Sequence, residues 1–464
     1  MSSVLETIIE NKKLEVASGK YATSATNLES SSRSLEDSII SRNPGLILEC
    51  KAASPSKGLI VENYQPQHLA KAYQTFAAAI SVLTDEKYFQ GNMQHLQLVS
   101  ETTQLPVLCK DFFISKEQII CARAHGADAI LLMMSVLDDE QYNKLSLQAK
   151  LLELDVLTEV RNKNELDRAI GLGARIIGVN NRNLDTLKID MQTTKKLSVK
   201  IPQHCLLISE SGYSSRGQLL DSFQSERTPD GFLVGSHLSG SKNVDLAIRK
   251  LIFNEVKICG LTREQDALAA FEQGACYGGL IFAEKSPRNI SLDQAHKIVS
   301  SAALKWVGVF TQTPTSNIVD IAKQLKLSAV QIHWEASKQQ VETLRNALPD
   351  ECEIWLLVRV VPTKQELSKQ LFENPLVDRF LVEPDGMLEG GNGIEFDWGL
   401  IKKLSNDKSK IIIAGGINPE NIQQAVAFSV GIVDVNSGVE ESAGIKSSAK
   451  LSKLFRKILP GKRL

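Results

Sequence analysis

Short apolar runs rich in Ile, Val and Leu recur along the whole chain, and longer amphipathic stretches separate them. Most of these runs do not alternate polar and apolar positions, which is typical of strands buried on both faces of a parallel sheet. Eight lie in the first half: LILE from Leu46, AISVLT from Ala79, PVLCK from Pro106, AILLM from Ala129, VLTE from Val156, IIGVN from Ile176, CLLISE from Cys205 and FLVGS from Phe232. Eight more lie in the second half: VKIC from Val256, GLIF from Gly279, WVGVF from Trp306, VQIH from Val330, IWLLVR from Ile354, RFLVE from Arg379, IIIAGG from Ile411 and IVDVNS from Ile432.

The stretches between the runs, such as SKEQIICARAHGA and NKNELDRAIGLGA, predict helices that end at glycine. Each leaves room for a right-handed crossover between parallel strands. Eight such units close a barrel, so the α/β pattern predicts two (β/α)8 TIM barrels in tandem. An open doubly wound sheet is the alternative, but it seldom needs eight consecutive units, and the chain carries no GxGxxG motif.

The pattern also predicts where the domains begin and end. A helical stretch over residues 245 to 253 follows the eighth run, and Glu255 begins the next run. We therefore expect a first domain over residues 1–254 and a second over 255–464, joined near Asn254. Residues 1 to 43 precede the first strand and predict a helical N-terminal extension that caps one end of the first barrel.

Composition and charge narrow the classes of partner. The 464 residues are 43% hydrophobic and 23% charged, which is an ordinary globular composition. The 53 basic and 54 acidic residues leave a net charge of -1, so no polybasic surface is expected for nucleic acid or an anionic membrane. The longest apolar run, Phe76 to Leu83, has eight residues, whereas a membrane span needs about 18. We expect a cytoplasmic monomer without nucleic-acid or membrane partners.

Neither a secretion signal nor a metal site is expected. The N-terminal stretch MSSVLETIIENKK contains acidic residues and lacks a small-residue cleavage site. The seven cysteines are scattered without a CxxC pair, and the seven histidines show no metal-ligand spacing. We therefore expect no disulfide framework, no metal and no cofactor.

Charged and polar residues follow the predicted strands of the first half, where barrel active sites are built. Any one of them could be a solvated residue at a strand end, but several at equivalent positions favour a site. Lysines and glutamates that converge on one barrel mouth supply the groups that general acid–base chemistry needs. These residues are Glu49, Lys51, Lys110, Asp111, Glu159, Asn180, Arg182, Glu210 and Ser211.

Glycine and serine follow the seventh and eighth strands of both halves, where barrels often bind phosphate through backbone N–H groups. A glycine pair alone is a weak signal, because turns use glycine anyway. The same pair at the same two positions of both halves favours two phosphorylated substrates. The residues are Ser211, Gly212, Gly235 and Ser236 in the first half, and Gly415, Gly416, Ser437 and Gly438 in the second.

Several motifs resemble known enzyme families. ILECKAASPSKG (47 to 58), LPVLCKDF (105 to 112), LTEV (157 to 160), GVNNRNL (178 to 184), SESG (209 to 212) and VGS (234 to 236) closely resemble indole-3-glycerol-phosphate synthase. KICGLT (257 to 262), GLIFAEKSPRNIS (279 to 291), VGVF, VQIHW, FDW (396 to 398), AGGINPENI (414 to 422) and DVNSGVE (434 to 440) resemble phosphoribosylanthranilate isomerase. Their order in one chain is similar to that of the bifunctional enzymes of tryptophan biosynthesis.

The first resemblance implies closure of the pyrrole ring of 1-(2-carboxyphenylamino)-1-deoxyribulose 5-phosphate, with loss of CO₂ and water. By similarity Lys110 is the general acid that polarises the carbonyl, and Lys51 assists by binding the carboxylate or donating a proton. Glu159 is the base of the dehydration. Orientation of these groups is implied for Glu49, Asn180 and Glu210, and substrate or phosphate binding for Ser54, Arg182, Ser211, Gly212, Gly235 and Ser236.

The second resemblance implies an Amadori rearrangement of N-(5-phosphoribosyl)anthranilate, whose product is the substrate of the first activity. Cys259 is similar to the family's general base, and Arg288 would bind the anthranilate carboxylate by bidentate hydrogen bonds. A thiol acts as a base only as thiolate, so we expect nearby cationic or N–H groups to depress the pKa of Cys259. Further substrate or phosphate contacts are implied for Gly415, Gly416, Asp434, Ser437 and Gly438.

One departure from the isomerase pattern concerns the general acid. The family places Asp at the end of the sixth strand, whereas here RFLVE puts Glu383 there. Glutamate is one methylene longer, and misplacement by about an ångström can cost on the order of 100-fold in rate. We favour Glu383, with Asp385 in the long segment PDGMLEGGNG (384 to 393) as the alternative.

Two other readings compete with the bifunctional one. In the first, only the synthase is fully active and the second barrel is a weakened isomerase or a structural module. Cys259 and Arg288 speak against a mere relic. In the second, the chain belongs with the sugar-phosphate isomerases of histidine biosynthesis, which use a pair of aspartates rather than the motifs ECK, KDF and TEV. Fold alone does not separate these readings.

Overall fold

A computed structural model of the chain describes residues 3–23, 28–360, 374–384 and 408–459. The chain divides into two compact units, Met1–Ile248 and Arg249–Leu459. The division falls within the helix Val244–Phe253, close to the stretch that the sequence predicts as helical.

Eight parallel strands form the sheet of the first unit. The sheet is closed because its first strand pairs with both the second and the eighth. Ile47 is in register with Ala79 on one side and with Leu233 on the other. In chain order, strands β1 to β8 are Gly45–Cys50, Ala79–Leu83, Val107–Lys110, Ala129–Met133, Asp155–Val160, Ile176–Asn180, Leu206–Glu210 and Gly231–Val234.

Helices connect these strands, and two precede them. Helix α1 is Val4–Ala17 and helix α2 is Leu35–Ser41, so the N-terminal extension is helical at both ends. The sequence between them is rich in Ser, Thr and Asn, which compete with helical hydrogen bonds. The later helices are Pro66–Tyr73, Glu86–Phe89, Met93–Thr102, Lys116–Ala124, Asp139–Leu151, Lys163–Gly171, Gln192–Ser198, Arg216–Ser222, Ser236–Ser239 and Val244–Phe253.

The second unit repeats this arrangement. Its first strand pairs with the second and the eighth, with Val256 in register with Val433. Strands β9 to β16 are Glu255–Ile258, Tyr277–Phe282, Lys305–Phe310, Ala329–Ile332, Glu353–Val360, Arg379–Pro384, Ile411–Ile413 and Ile432–Val435. Its α-helices within the described residues are Glu264–Gln273, Leu292–Ser301, Thr315–Leu325, Lys338–Ala347, Ile422–Ala427 and Ser448–Ile458.

Shorter elements complete both units. Two-residue strands Ala53–Ser54 and Gly58–Leu59 pair after β1, and strands Glu440–Ser442 and Ile445–Lys446 pair after β16. Short 3-10 helices cover Lys408–Lys410 and Ser437–Val439.

Local sequence explains where several helices begin. Ser291 precedes the helix Leu292–Ser301, and its hydroxyl accepts a hydrogen bond from the Gln294 N–H at 3.2 Å. The Gln294 side chain accepts in turn from the Ser291 N–H at 3.0 Å. This reciprocal pair satisfies two of the donors that a helix N-terminus leaves without partners.

The core of the first barrel also includes its N-terminal extension. Leu5 and Ile8 of α1 and Ile39 of α2 belong to the same buried apolar cluster as Ile47 and Leu157 of the strands. Because burial of apolar surface is the main favourable term in folding, the extension is held by the barrel core itself.

The fold class predicted from the sequence is confirmed. Every one of the sixteen predicted strands is present, in two closed parallel barrels. Among the helices in the described ranges, none combines the length and apolarity needed to cross a membrane.

Candidate active sites

A cavity of about 300 Å³ opens at the carboxyl ends of strands β1 to β8. Parallel closure brings all eight strand ends to one mouth, so residues far apart in sequence meet there. Glu210 is fully buried and does not line the cavity, but it contacts a lysine that does. The other predicted residues of this barrel all line it: Glu49, Lys51, Ser54, Lys110, Glu159, Asn180, Arg182, Ser211, Gly212, Gly235 and Ser236.

Lys110 is the centre of the polar network in this cavity. Its ammonium lies 2.9 Å from Glu210 Oε2 and 3.4 Å from Glu49 Oε2. Glu49 also pairs with Lys51 at 2.5 Å through its other oxygen. Burial alone would lower the pKa of Lys110, but the surrounding carboxylates, Glu210 first, raise it above the ordinary value. Lys110 is therefore a charged ammonium that lines the cavity.

Two buried carboxylates in this network have pKa values that are shifted in opposite directions. Burial would raise the pKa of Glu49, but Lys51 and then Lys110 lower it below its ordinary value. Burial and then the charge of Glu210 raise the pKa of Glu159 to about 8. Pairs of groups whose environments push their pKa values apart are the mark of acid–base assignments. Glu49 is thus a fixed anion, and Glu159 exchanges a proton near neutral pH.

Asn180 and Arg182 complete the polar rim after β6. The Asn180 side chain is hydrogen bonded to Glu159, and its Oδ1 accepts from the Arg182 N–H at 2.9 Å. Burial lowers the pKa of Arg182 below the ordinary value of an arginine. Asn180 is the last residue of β6 and Arg182 lies just after it, and both line the cavity.

Two glycines, one in β6 and one directly after β8, leave room for the carboxylates. A methyl group at Gly178 would lie 2.0 Å from Glu210 Oε1, and one at Gly235 would lie 2.2 Å from Glu49 Oε1. Both distances are far below contact, so any side chain at these positions displaces the carboxylate. These two positions require glycine for packing against functional groups.

Left-handed backbone follows β7, at a position where barrels often bind phosphate. Ser211 has φ of 66° and Gly212 has φ of 96°. The short helix Ser236–Ser239 begins directly after Gly235. Lys57 and His237 also line this end of the cavity. The sequence motif ASPSKG contains Lys57, but its role was not predicted.

An apolar wall lines the remainder of the first cavity. Such a surface suits an aromatic ring. The sequence did not single out these side chains, because an apolar residue at a mouth and one in the core look alike in a sequence. They are Leu5 and Ile8 of α1, with Phe89, Phe112, Leu131, Met133 and Leu184 of the barrel.

A second cavity, of about 540 Å³, opens at the carboxyl ends of strands β9 to β16. Gly438 lies in the 3-10 helix Ser437–Val439 and does not line it. Asp385 and the FDW motif (396 to 398) lie outside the described residues. The predicted residues that line the cavity are Cys259, Arg288, Glu383, Gly415, Gly416, Asp434 and Ser437.

Cys259 follows β9 and lies beside a buried lysine. Lys257 is fully buried, and its ammonium lies 2.7 Å from Asp434 Oδ2 and 2.9 Å from Gln331 Oε1. The positive charge of Lys257 lowers the pKa of the thiol. The expected net depression is nevertheless wrong, because burial raises the pKa above the ordinary value of a thiol by more than Lys257 lowers it.

Glu383 is the last residue but one of β14 and lines the cavity beside a histidine. His333 Nε2 lies 3.0 Å from Glu383 Oε2, and both side chains are largely buried. His333 stands in the VQIHW motif, but nothing in that motif pairs it with Glu383. The contact fixes the longer glutamate side chain at the mouth.

Arg288 is held by a carboxylate of the chain itself. Its Nε and Nη2 donate to the two oxygens of Glu440 at 2.9 and 2.7 Å. Lys446, which is also buried, contacts Glu440 Oε1 at 2.7 Å. Because Glu440 occupies the edge formed by Nε and Nη2, the Nη1 edge is the one left for a ligand.

Gly415 and Gly416 repeat the backbone geometry of the first cavity. Their φ values are 91° and 65°, in the left-handed region that favours glycine. Asn436 and Ser437 line the cavity beside them, after β16. Left-handed backbone therefore follows the seventh strand in both barrels.

These features define a class of protein. Each unit is a TIM barrel whose mouth combines titratable groups with left-handed backbone after the seventh strand and a short helix after the eighth. That combination is typical of barrel enzymes acting on small phosphorylated substrates.

Comparison with known proteins identifies the family. The family model described as "Indole-3-glycerol phosphate synthase" matches residues 5–251, and that described as "N-(5'phosphoribosyl)anthranilate (PRA) isomerase" matches residues 256–457. The tryptophan biosynthesis protein TrpCF of Haemophilus influenzae is 45% identical over 440 residues, which cover 93% of this chain and 91% of that protein. The TrpCF protein of Yersinia pestis is 42% identical over 458 residues, covering 98% and 94%.

A solved structure of phosphoribosyl anthranilate isomerase from Thermus thermophilus is 29% identical and covers 44% of this chain and 98% of that chain, with a TM-score of 0.39. By its two family models and its full-length relatives, the chain belongs to the family of bifunctional indole-3-glycerol-phosphate synthase/phosphoribosylanthranilate isomerases. It is an enzyme of tryptophan biosynthesis with a decarboxylating lyase and an isomerase in one chain. The reading of the second barrel as a weakened or structural module has no support in these comparisons.

Substitution Gly235→Ala is expected to lower the kcat of the synthase on the order of 100-fold, because the new methyl group moves Glu49 away from both lysines. Gly171→Ala is the matched control, since a methyl group there meets nothing within 4 Å. Steady-state kinetics of indole-3-glycerol-phosphate formation measures both variants. A wild-type kcat for Gly235→Ala would contradict the packing argument.

Proposed function

We propose that residues 1–254 carry the synthase with Lys110 as general acid and Glu159 as base, and that residues 255–464 carry the isomerase with Cys259 as base and Glu383 as acid. One observation carries the proposal for the synthase. Lys110 and Glu159 face the same cavity, where neighbouring carboxylates raise both pKa values. Lys110 therefore stays charged, and Glu159 can exchange a proton near neutral pH.

In the synthase, the Lys110 ammonium donates to the substrate carbonyl oxygen and makes its carbon electrophilic. The ring carbon that bears the carboxylate attacks, the new C–C bond closes the five-membered ring, and CO₂ leaves with its former C–C bond electrons returned to the ring. The carbonyl oxygen, now a hydroxyl, takes a second proton, which Lys51 can supply, and departs as water. Glu159 accepts the proton released as the pyrrole ring becomes aromatic.

The remaining polar residues of the first cavity hold the substrate. Lys51, paired with Glu49 at 2.5 Å, is placed to meet the carboxylate or to donate a proton. Asn180 orients Glu159, and Glu210 orients Lys110. The phosphate is assigned to Ser54, Arg182, Ser211, Gly212, Gly235 and Ser236, where left-handed backbone and a short helix supply N–H donors.

In the isomerase, Glu383 protonates the ribose ring oxygen and opens the ring, which leaves a protonated imine at C1. Cys259 then removes the C2 proton to give the enolamine, which becomes the ketone. The buried Lys257 ammonium stabilises the thiolate that this step needs, because its positive charge lies beside Cys259. Lys257 is therefore assigned a supporting role that the sequence did not reveal.

Substrate binding in the second cavity follows from the same geometry. Glu440 holds Arg288 by its Nε and Nη2, so the Nη1 edge is assigned to the anthranilate carboxylate. Asp434 holds Lys257, which keeps the ammonium beside the thiol. The phosphate is assigned to the backbone at Gly415, Gly416, Ser437 and Gly438, by analogy with the first barrel.

We also propose that the protein acts as a cytoplasmic monomer. The described residues of one chain form both cavities. The seven cysteines are free thiols, which is usual in a reducing compartment. Its ligands are small phosphorylated derivatives of anthranilate.

Crossed variants test whether the two activities belong to the two cavities. Lys110→Met is expected to lower the kcat of the synthase by at least about 100-fold and to leave the isomerase unchanged, because it removes the proton donor of one cavity only. Cys259→Ala is expected to do the reverse. Both half-reactions are assayed separately on each purified variant. Loss of both activities in either variant would contradict the two-site assignment.

The pH dependence tests Glu159. Because its pKa is raised to about 8 and the base form is the active one, kcat/KM of the synthase should rise with pH and level off above about 8. Glu159→Gln should abolish this rise of kcat/KM with pH and should lower the kcat of the synthase by at least about 100-fold. A wild-type profile that falls through the same pH range would make Glu159 an acid rather than a base.

The identity of the isomerase acid is tested by two amide substitutions. Glu383→Gln should lower the kcat of the isomerase by about 100-fold or more, since an amide has no proton to donate to the ring oxygen. Asp385→Asn is the comparison, and the synthase activity of each variant is the control on the preparation. Full isomerase activity in Glu383→Gln, with loss in Asp385→Asn, would transfer the role to Asp385.

A further inference from the structure

Helix α1 carries a buried lysine that the proposed reaction does not use. The Lys12 side chain is 0% exposed, whereas lysines are almost never fully buried unless they are paired. Its ammonium lies 2.9 Å from Asp111 Oδ1, 3.0 Å from Asp85 Oδ2 and 2.9 Å from Glu15 Oε2. It also donates to the Tyr21 hydroxyl at 3.0 Å. Four oxygens thus surround one ammonium.

Two of these partners belong to the barrel rim and are themselves rigidly held. Asp111 directly follows Lys110, and its carboxylate accepts from Thr84 Oγ1 and from the Phe112 N–H, each at 2.7 Å. Asp85 follows β2, and its other oxygen accepts from the Tyr88 N–H at 2.8 Å. Lys12 therefore joins α1 to the strand ends beside the general acid.

The same face of α1 forms part of the apolar wall of the synthase cavity. Leu5, Ile8 and Lys12 follow one another at spacings of three and four residues, which places them on one face of a helix. Leu5 and Ile8 line the cavity and are 7% and 3% exposed. The position of Lys12 along this face sets where the two apolar side chains rest.

Stability alone is a poor explanation for such an ion. Burial of an ammonium is costly, and apolar residues of similar volume often replace buried ion pairs without loss of stability. Burial would lower the pKa of Lys12, yet Asp111 and then Asp85 raise it above its ordinary value, so the residue stays charged. A charge kept in the interior at this point is best explained by the geometry it imposes.

We propose that Lys12 is a positioning residue of the synthase, which seats helix α1 across the cavity so that Leu5 and Ile8 complete the wall against the anilino ring. This inference rests on the proposed assignment of the first cavity to the synthase. Lys12 acts through α1 and Asp111 and does not touch the substrate. Its loss should therefore weaken substrate binding more than it slows the chemical step.

The test compares Lys12→Met with Lys13→Met in the full-length enzyme. Lys13 is the next residue of the same helix and is exposed, so the control makes the same change of charge and side chain. Lys12→Met should raise the KM of the synthase about tenfold, comparable to losing about two methylene contacts, with kcat within about twofold of wild type. Lys13→Met should change neither constant. An unchanged KM in Lys12→Met, or a loss confined to kcat, overturns the proposal.

A second variant guards against misfolding. Lys12→Met leaves Asp85 and Asp111 without their counter-ion, so Lys12→Met/Asp85→Asn removes one of these charges while the amide oxygen can still accept from the Tyr88 N–H. The double variant should show the same increase in KM and retain kcat at saturating substrate. A return of KM to the wild-type value in the double variant overturns the positioning role.

Coupling to the apolar wall provides the sharpest readout. Ile8→Ala should raise KM by itself, and Lys12→Met/Ile8→Ala should raise it no more than the larger single effect, because both act through the seating of α1. Full additivity overturns the proposal. The outcome is separable from the assignment of the site, because Lys110→Met tests that assignment through kcat, whatever KM the Lys12 variants show.

Discussion

Closure of each sheet by pairing of its first and eighth strands is the constraint on which the rest of the structure depends. Because all strands of a barrel run in one direction, closure brings eight carboxyl ends to a single mouth. Residues as distant as Glu49 and Glu210 then contact the same lysine, Lys110. A chain that folds twice in this way obtains two such mouths, and the loops after corresponding strands carry different titratable groups.

Within the first cavity, neighbouring charges give similar carboxylates different pKa values. Glu49 and Glu159 are both buried carboxylates of strand ends, yet the pKa of one is lowered by two lysines and that of the other is raised to about 8. In the second cavity the proposed base is a thiol, Cys259. Burial raises its pKa, and the positive charge of Lys257 inside the barrel opposes that increase.

The sequence was sufficient for the fold because buried parallel strands leave a strong local signal. Each apolar run, such as IIGVN in β6, marks a strand whatever surrounds it. Polar residues that follow these runs were also predictable as site residues. Lys12, Lys257, His333 and Glu440 were not, because their roles depend on burial and on partners distant in sequence. The expected depression of the Cys259 pKa was wrong for the same reason, since burial is a property of the folded chain.

The two glycines that face carboxylates bear on how this chain can change through evolution or design. Gly178 lies in β6 and Gly235 directly follows β8, and the groups they crowd are side chains of the protein itself. A library that varies the loops above the barrel while keeping Gly235 explores new substrates on an intact acid–base framework. A library that varies β6 loses that framework at Gly178, a site that resembles an ordinary structural position. The positions that must be kept for the acid–base groups therefore include residues of the sheet as well as residues at the mouth.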